Sequence, residues 1–586
     1  MIKPLVDDRK YRAIRLTNNL EALLISDISS SRCSASLSVG VGSFQNDDDV
    51  LGLAHFTEHM IFLGSKSYQR PGEFEEYLSD YFGITNAYTE DEKTTFYYEI
   101  GCRGFQKSLL MFSRMFAEPL FDINFMNKEI DAVNSENEKN LNQDNWREHQ
   151  IVKILSNPNH PYHRFNTGNN NTLRNLDLVN LNKRLNNFYN KYYIPSNMKL
   201  VVLSNQPLDL MQSSISQFFS DIRLDSLQKE DIFKYGDLKT NEKAYNKENL
   251  GKFVWVNKIT ALPTLDIVFN LDEIISSFKT KPLDYPSYLL KYSGEGSLIN
   301  FLKTKKLANK LDCGSISSNK NFSQFSISIS LTDNGLNNVL SVVNAAFSYI
   351  NLIKSKKVSY EIYNEIQNIT KIQFKFLEKN EKYGDYLASL ASSMHDYSYR
   401  EIIYGEFLHS HYNQTLIEKY LDQLTPENSF IILGSNQNLP DKNIIDKFFK
   451  NSKISVEKYY GTRYYNATMS KEFIDSLKSL KNENENIINS KNINNNNINN
   501  NKNSTEKRLE LNYAKDPLNE YGFKLRPKNE YITSYSNIVS CYDDNEKVRY
   551  IISLILYCFF HLYFLIFINH PEKYFFLIFK FTKLSE

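Results

Sequence analysis

Residues 52–65 read GLAHFTEHMIFLGS, an apolar run interrupted by His55, Glu58 and His59. The pattern predicts a buried helix, and on a helix positions i and i+4 lie one above the other on one face. The imidazoles of His55 and His59 therefore converge on one point. Glu58 projects from nearly the same face, close enough to take a proton from a water held there without joining the ligands. A lone histidine on an apolar helix is normally a core residue with a satisfied hydrogen bond. Three ionisable groups left unpaired in such a helix would cost several kcal/mol, so this arrangement implies a cation.

The order HxxEH is that of the inverted zincins, the reverse of HExxH. Zinc in a catalytic site takes three protein ligands and keeps one position open, so a third ligand must come from elsewhere. The candidate region is NKEIDAVNSENEKN, a helical stretch with Glu129, Glu136 and Glu138. Glu129 and Glu136 are two turns apart on one face, so one could bind the metal and the other support it. Spacing alone does not choose between them, and Glu-rich helices are commonly just solvated faces.

At 586 residues the chain exceeds one core and several compact units are expected. Lys and Arg total 69 against 68 Asp and Glu, which offers no electrostatic footprint for nucleic acid. Cys33, Cys102, Cys313, Cys541 and Cys558 are scattered, odd in number and without a CxxC pair. That argues against a disulfide framework and a thiolate zinc cluster, and for a reducing compartment. The opening MIKPLVDDRKYRAIRL has no apolar core of a secretory signal, so the cytoplasm is the expected location.

Two segments repeat. IPSNMKLVVLSNQP from Ile194 and TPENSFIILGSNQN from Thr425 share Pro195 and Pro426, Asn197 and Asn428, Ser204 and Ser435, Asn205 and Asn436, all at an offset of 231. Each reads as turn, apolar strand, polar turn and amphipathic helix, the last carrying Phe218-Phe219 or Phe448-Phe449. Strand-like alternation at 22–25 and 35–39, TTFYYEIG, and FSQFSISISLT in the second copy point to hairpin pairing mixed with helices. The expected class is α+β, with two tandem homologous domains at 1–235 and 245–465.

Residues 466–545 hold an Asn-rich tract, NNNNINNNKN, too polar to offset its ordering entropy, and a linker remnant. In the apolar tail, 546–586, residues 550–568 are long enough to cross a bilayer. A membrane anchor is one reading. The other is a misplaced chain end, because Phe, Ile, Leu, Tyr, Lys and Asn are what AT-rich noncoding sequence would encode.

GLAHFTEHMIFLGSKSY, NAYTEDEKTTFYYE and EIDAVNSENEKNLNQDNWR, in this order and spacing, resemble the insulin-degrading enzyme branch of the M16 (insulinase, pitrilysin) metalloprotease family. The likeness runs on through EGSLINFLKTKKLANKL and EKYYGTRYY to RPKNEYI at 526–532. It implies a zinc-dependent endopeptidase acting on peptides or small unfolded polypeptides. His55, His59 and Glu136 would hold one Zn2+ per chain, Glu136 following His59 at the family's spacing with 76 residues between. Glu58 would be the general base that activates water against the scissile carbonyl, and Glu129 the supporting carboxylate.

The resemblance further implies an edge strand at Asn86 and Ala87 that takes substrate main chain by β-augmentation, and a pocket wall at Phe62. Leu311 and Cys313 would belong to an exosite, although the family usually has glycine at the position of Cys313. In place of a second HxxEH stands LLKYSGEGSLINFL, as expected for a noncatalytic repeat. Members of this branch have four homologous domains in two halves that close a chamber, and this chain resembles the catalytic half alone. The implied partners are a peptide or unfolded-protein substrate and a second M16-type half or subunit. The alternative is a catalytically weak half that serves as a structural or substrate-binding subunit.

Overall fold

The computed structural model describes residues 2–222, 235–238, 241–260, 262–380, 382–437, 441–450, 452–480 and 523–526. The first repeat contributes β1 (Lys10–Arg15), β2 (Glu21–Ser26), β3 (Arg32–Val39), β4 (Ile84–Thr89), β5 (Thr94–Gly101) and β6 (Met198–Ser204). They form a mixed sheet in the order β1-β2-β6-β3-β5-β4, in which only β2 and β6 run parallel. The second contributes β7 (Lys252–Asn257), β8 (Thr264–Leu271), β9 (Ala308–Ser318), β10 (Ser323–Leu331), β11 (Ser429–Ser435), β12 (Ser455–Val456) and β13 (Arg463–Thr468). Their order is β12-β13-β7-β11-β8-β10-β9, with β7 and β11 the parallel pair.

Laid over one another, β13-β7-β11-β8-β10-β9 repeats β1-β2-β6-β3-β5-β4 in neighbour and in direction. The outermost strand comes first in one repeat and last in the other, which an antiparallel edge strand permits because either chain end can supply it. The second unit therefore runs on past β13 to helix Lys471–Ser479, whose Phe473 and Leu477 enter its core. The 231-residue offset maps β6 onto β11. Pro195 and Pro426 each open a short 3-10 turn before the strand, and Asn197 and Asn428 each donate Nδ2 to the carbonyl five residues back, on Tyr192 and Gln423. After β11 the helix is short, Lys442–Ile444, and passes into a π turn Ile445–Phe449.

Both central strand pairs are buried on both faces, which is why LVVL and FIIL are continuous apolar runs. Ala22, Leu24, Leu200 and Val202 face the helices of their own repeat, whereas Leu23, Ile25, Val201 and Leu203 face Phe374, Leu387, Leu390, Ala391 and Ile402 of the second. The exchange is reciprocal. Helix α5 (Asp144–Ile154) brings Ile151 and Val152 onto Val254, Val256, Phe430 and Ile432 of the second sheet. Each repeat thus covers the back of the other's sheet.

One expectation is corrected here. Cys33 and Cys102 are joined by a disulfide, their Cα atoms 5.0 Å apart. They are 69 residues apart in sequence, but the pairing of Arg32 with Gly101 on β3 and β5 brings them side by side. Linear spacing does not display cross-strand neighbours. One bridge is not a framework, yet it removes the cysteine argument for a reducing compartment. Cys313 is free and buried. Among the described residues no helix is long and apolar enough to cross a membrane. The stretch 550–568 and nearly all of the Asn-rich tract lie outside the described residues.

Candidate metal centre and substrate cleft

The HxxEH stretch forms helix α1 (Leu53–Phe62). Leu53, Phe56, Met60 and Ile61 anchor it in the core, which turns His55, Glu58, His59 and Phe62 toward a cleft of about 620 Å³. Gly52, at φ +92°, starts the helix against Gly168, where a Cβ would sit 2.3 Å from the Gly168 Cα. Only two glycines allow this approach, and it brings the Thr167 carbonyl to 2.7 Å from His55 Nδ1. A carbonyl can only accept, so Nδ1 carries the proton and Nε2 is directed elsewhere.

Helix α4 (Ile123–Asn140) lies alongside, capped by Asp122 and anchored by Met126, Ile130 and Val133. Its cleft face carries both carboxylates that spacing left undecided, and they differ in what they touch. Glu136 Oε2 is 3.4 Å from His55 Nε2 and 3.7 Å from His59 Nε2, whereas Glu129 Oε2 is 3.4 Å from His59 Nδ1. Glu136 is also the more open, its side chain 53% exposed against 14% for Glu129. Glu138 faces solvent and accepts from Asn134 Nδ2 at 2.7 Å.

His55, His59 and Glu136 each offer one ligand atom, all within 4.8 Å of one another. Two imidazoles and a carboxylate are a donor set suited to zinc. The other nitrogen of each ring is already bound to an acceptor, the usual outer-shell arrangement of metal-ligating histidine. The electrostatics of these side chains agree. Burial opposes a charge on His59, but the carboxylates of Glu129, Glu136 and Glu58 push it up to about 10. Hydrogen bonds from His55 and His59 hold Glu136 well below the ordinary carboxylate range.

Glu58 is buried and accepts from Thr89 Oγ1 at 2.6 Å. Thr89 ends β4, which bonds to β5 on one side and, among the described residues, to no strand on the other. Asn86 and Ala87 on that strand, together with Phe62, line the same cleft. Leu311 and Cys313 lie away from it on β9, the strand that repeats β4 in the second sheet. The Cys313 side chain points into the core, with Sγ against the Ser287 carbonyl at 3.7 Å, and so does not obstruct the free edge of β9. Sequence reasoning missed Thr167 and Thr89, whose contacts depend on chain crossings no local pattern records. It also missed Glu75, which lines the cleft and whose carboxyl is raised by burial and by Glu129.

The class the structure defines is a repeated mixed-sheet α+β fold with a His-His-Glu group able to hold a metal ion, beside a strand whose outer edge is free among the described residues. Family models match it in succession: insulinase (peptidase family M16) over 21–159, the peptidase M16 inactive domain over 181–370, and the middle or third domain of peptidase M16 over 374–492. The chain belongs to peptidase family M16. It is 34% identical to the A-factor-processing enzyme of Saccharomyces cerevisiae over 82% of this chain and 45% of that protein. It is 30% identical to the insulin-degrading enzyme of Homo sapiens over 80% of this chain and 44% of that protein. The crystal structure of pitrilysin superposes with a TM-score of 0.75 at 26% identity, covering 82% of this chain and 49% of that one. The chain spans about half the length of the curated relatives it matches.

Proposed function

We propose that this protein is a zinc-dependent endopeptidase that hydrolyses peptides or small unfolded polypeptides. The observation that carries the reading is the convergence of His55, His59 and Glu136 beside Glu58 in a cleft walled by a free strand edge. His55, His59 and Glu136 hold the zinc. Zinc, when bound, supplies Lewis-acid stabilisation of the negative charge that develops on the scissile carbonyl oxygen. Glu58 takes the proton of the attacking water and returns it to the leaving amine. Thr89 holds one carboxylate oxygen of Glu58, leaving the other for that work, and Glu129 keeps the His59 ring in place.

The substrate adds as a further strand along Asn86 and Ala87, so recognition reads main chain more than side chain. Phe62 walls the pocket for one flanking side chain. Residues 1–235 form the catalytic repeat, and the noncatalytic one begins at 245 and runs beyond 465 to the helix Lys471–Ser479, with Leu311 and Cys313 on the strand that repeats β4 and offers a second edge for extended peptide. Hydrolysis of an internally quenched peptide by the purified chain, with and without chelator and beside Glu58→Gln, tests the reading. Cleavage that survives either chelation or Glu58→Gln sinks it.

A second reading is favoured by the half-length match to the relatives: the chain is catalytically weak until a C-terminal M16 half joins it. Restored turnover on adding such a half to a silent, zinc-loaded chain supports this, and full turnover by the chain alone removes it.

A further inference from the structure

We propose that Glu92 and Lys93, at the tip of the β4–β5 hairpin, are positioning residues through which the second repeat fixes the edge strand β4 and the Thr89–Glu58 hydrogen bond. The catalytic consequence rests on the peptidase reading, whereas the mechanical coupling does not.

The free side of β4 is the side a peptide must occupy, so β4 has only β5 to hold it in the sheet. A strand bonded on one side frays unless its ends are tied. Here the tie is at the tip. The Glu90 N–H donates to the Lys93 carbonyl at 2.8 Å to close the turn, directly after Thr89 and directly before its cross-strand partner Thr94. Glu92 is buried, only 4% exposed. Its Oε2 accepts from the backbone N–H of Lys320 at 3.0 Å and its Oε1 from Asn321 Nδ2 at 3.0 Å. Both donors sit in the turn between β9 and β10, so the hairpin that repeats β4–β5 in the second sheet grips the first hairpin tip to tip. Lys93 Nζ makes the second attachment, to Asp396 Oδ2 at 2.6 Å and to Ser392, where helix Tyr383–Ser393 ends over the first sheet.

From the tip the constraint reaches the HxxEH helix by a second route. The N–H groups of Ser43 and Phe44 donate to the carbonyls of Glu90 and Asp91, both at 2.9 Å, and Gly42 beside them has no room for a Cβ, which would lie 2.3 Å from the Glu90 oxygen. Asn46 in the same loop accepts from the Ala54 N–H of α1 through Oδ1 at 2.8 Å. The second repeat therefore holds both elements that face each other across the Thr89–Glu58 contact.

The test uses the full chain without zinc and reads amide hydrogen exchange by mass spectrometry, so it needs no catalytic activity. In Glu92→Gln one arm of the side chain becomes a donor facing a donor. The β4 amides bonded to β5 are then expected to exchange about tenfold faster, the size of losing one buried hydrogen bond, while β1–β2 stays as it was. Glu92→Gln/Asn321→Asp rebuilds both bonds with one polarity reversed and is expected to restore slow exchange. Lys93→Met should loosen the same peptide. With zinc, the single variants should raise KM and lower kcat for a quenched peptide at unchanged metal content. Unchanged exchange over 84–89 in both single variants overturns the proposal, as does an equal acceleration in β1–β2, which would make the pair a general stabiliser. If the unaltered chain cleaves nothing, alone or with an added C-terminal M16 half, while exchange responds as expected, the peptidase reading fails and the coupling stands.

Discussion

Replacing Glu129 with glutamine should weaken zinc binding although Glu129 is assigned no place among the ligands. Its Oε2 lies 3.4 Å from His59 Nδ1, on the far side of the ring from Glu136, and its side chain is the more buried of the two carboxylates. It therefore sets both the tautomer of His59 and the direction of its Nε2. Glutamine keeps the shape and an acceptor oxygen but removes the charge that strengthens the imidazole as a donor. Loss of such an outer-shell partner costs 10- to 100-fold in metal affinity. With the acceptor retained the loss should be about tenfold, or about 1.4 kcal/mol, and for Glu129→Ala about 100-fold. Competition against a chromophoric chelator at fixed pH measures this. Glu136→Gln, which removes a ligand, should fall below the range of the same assay, and Glu138→Gln, two residues on but facing solvent, should bind as the unaltered chain does. Equal losses in Glu129→Gln and Glu138→Gln would refute the reasoning, since only net charge would then matter. So would retained binding in Glu136→Gln with loss in Glu129→Gln, which would exchange the two roles.

Thr89→Val deletes the 2.6 Å hydrogen bond to Glu58 while keeping the shape. A bond to a charged group contributes about 1.5–3 kcal/mol, so peptide hydrolysis should fall at least tenfold at unchanged zinc content, checked by steady-state kinetics beside metal analysis. Gly52→Ala places a Cβ 2.3 Å from Gly168 at a positive φ. It should cost about 2–3 kcal/mol in denaturant unfolding and weaken zinc binding as well, because Thr167 is displaced from His55. In the zinc-free protein His59 is raised from an ordinary value of 6.5 to about 10, so its contribution to stability is fully present below about pH 6.5 and is lost as pH rises through about 10. Zinc binding near pH 8 must then displace a proton from His59, which calorimetry in two buffers of different ionisation enthalpy should register as about one proton released.

The parts of the site legible in the sequence were those that one helix carries by itself. His55, Glu58 and His59 needed only the helical period, and Glu129 and Glu136 only two turns of a second helix. The choice between those two carboxylates is tertiary, depending on which crosses the ring of His59 and which meets both Nε2 atoms. Thr167 and Thr89 were illegible for the same reason, since each reaches the site from a segment whose local pattern says nothing of α1. The repeat was visible because β6 and β11 keep the same turn, the same Asn-to-carbonyl bond and the same strand. Its limits were less clear, because the outermost strand moves from the front of one repeat to the back of the other. The Cys33–Cys102 bridge follows from the register of β3 on β5, which no count of cysteines contains.

The continuous apolar runs of β2, β6, β7 and β11 hold a consequence that alternation would have hidden. A strand apolar on both faces needs cover on both, and the repeat's own helices cover only one. In the first repeat the second cover is Phe374, Leu387, Leu390, Ala391 and Ile402, all from the other repeat. Exposing Leu23, Ile25, Val201 and Leu203 would cost about 1.5–3 kcal/mol each, comparable in sum to the whole stability of an ordinary domain. The repeat without a metal motif thus has a physical role in the fold. It closes the back of the sheet from whose front helix α1 hangs, and α5, which follows the glutamate-bearing α4 in the chain, returns the same service to the second sheet. Helices α1 and α4 share the first repeat's own core, so the approach of Glu136 to His55 and His59 is set by packing within that repeat.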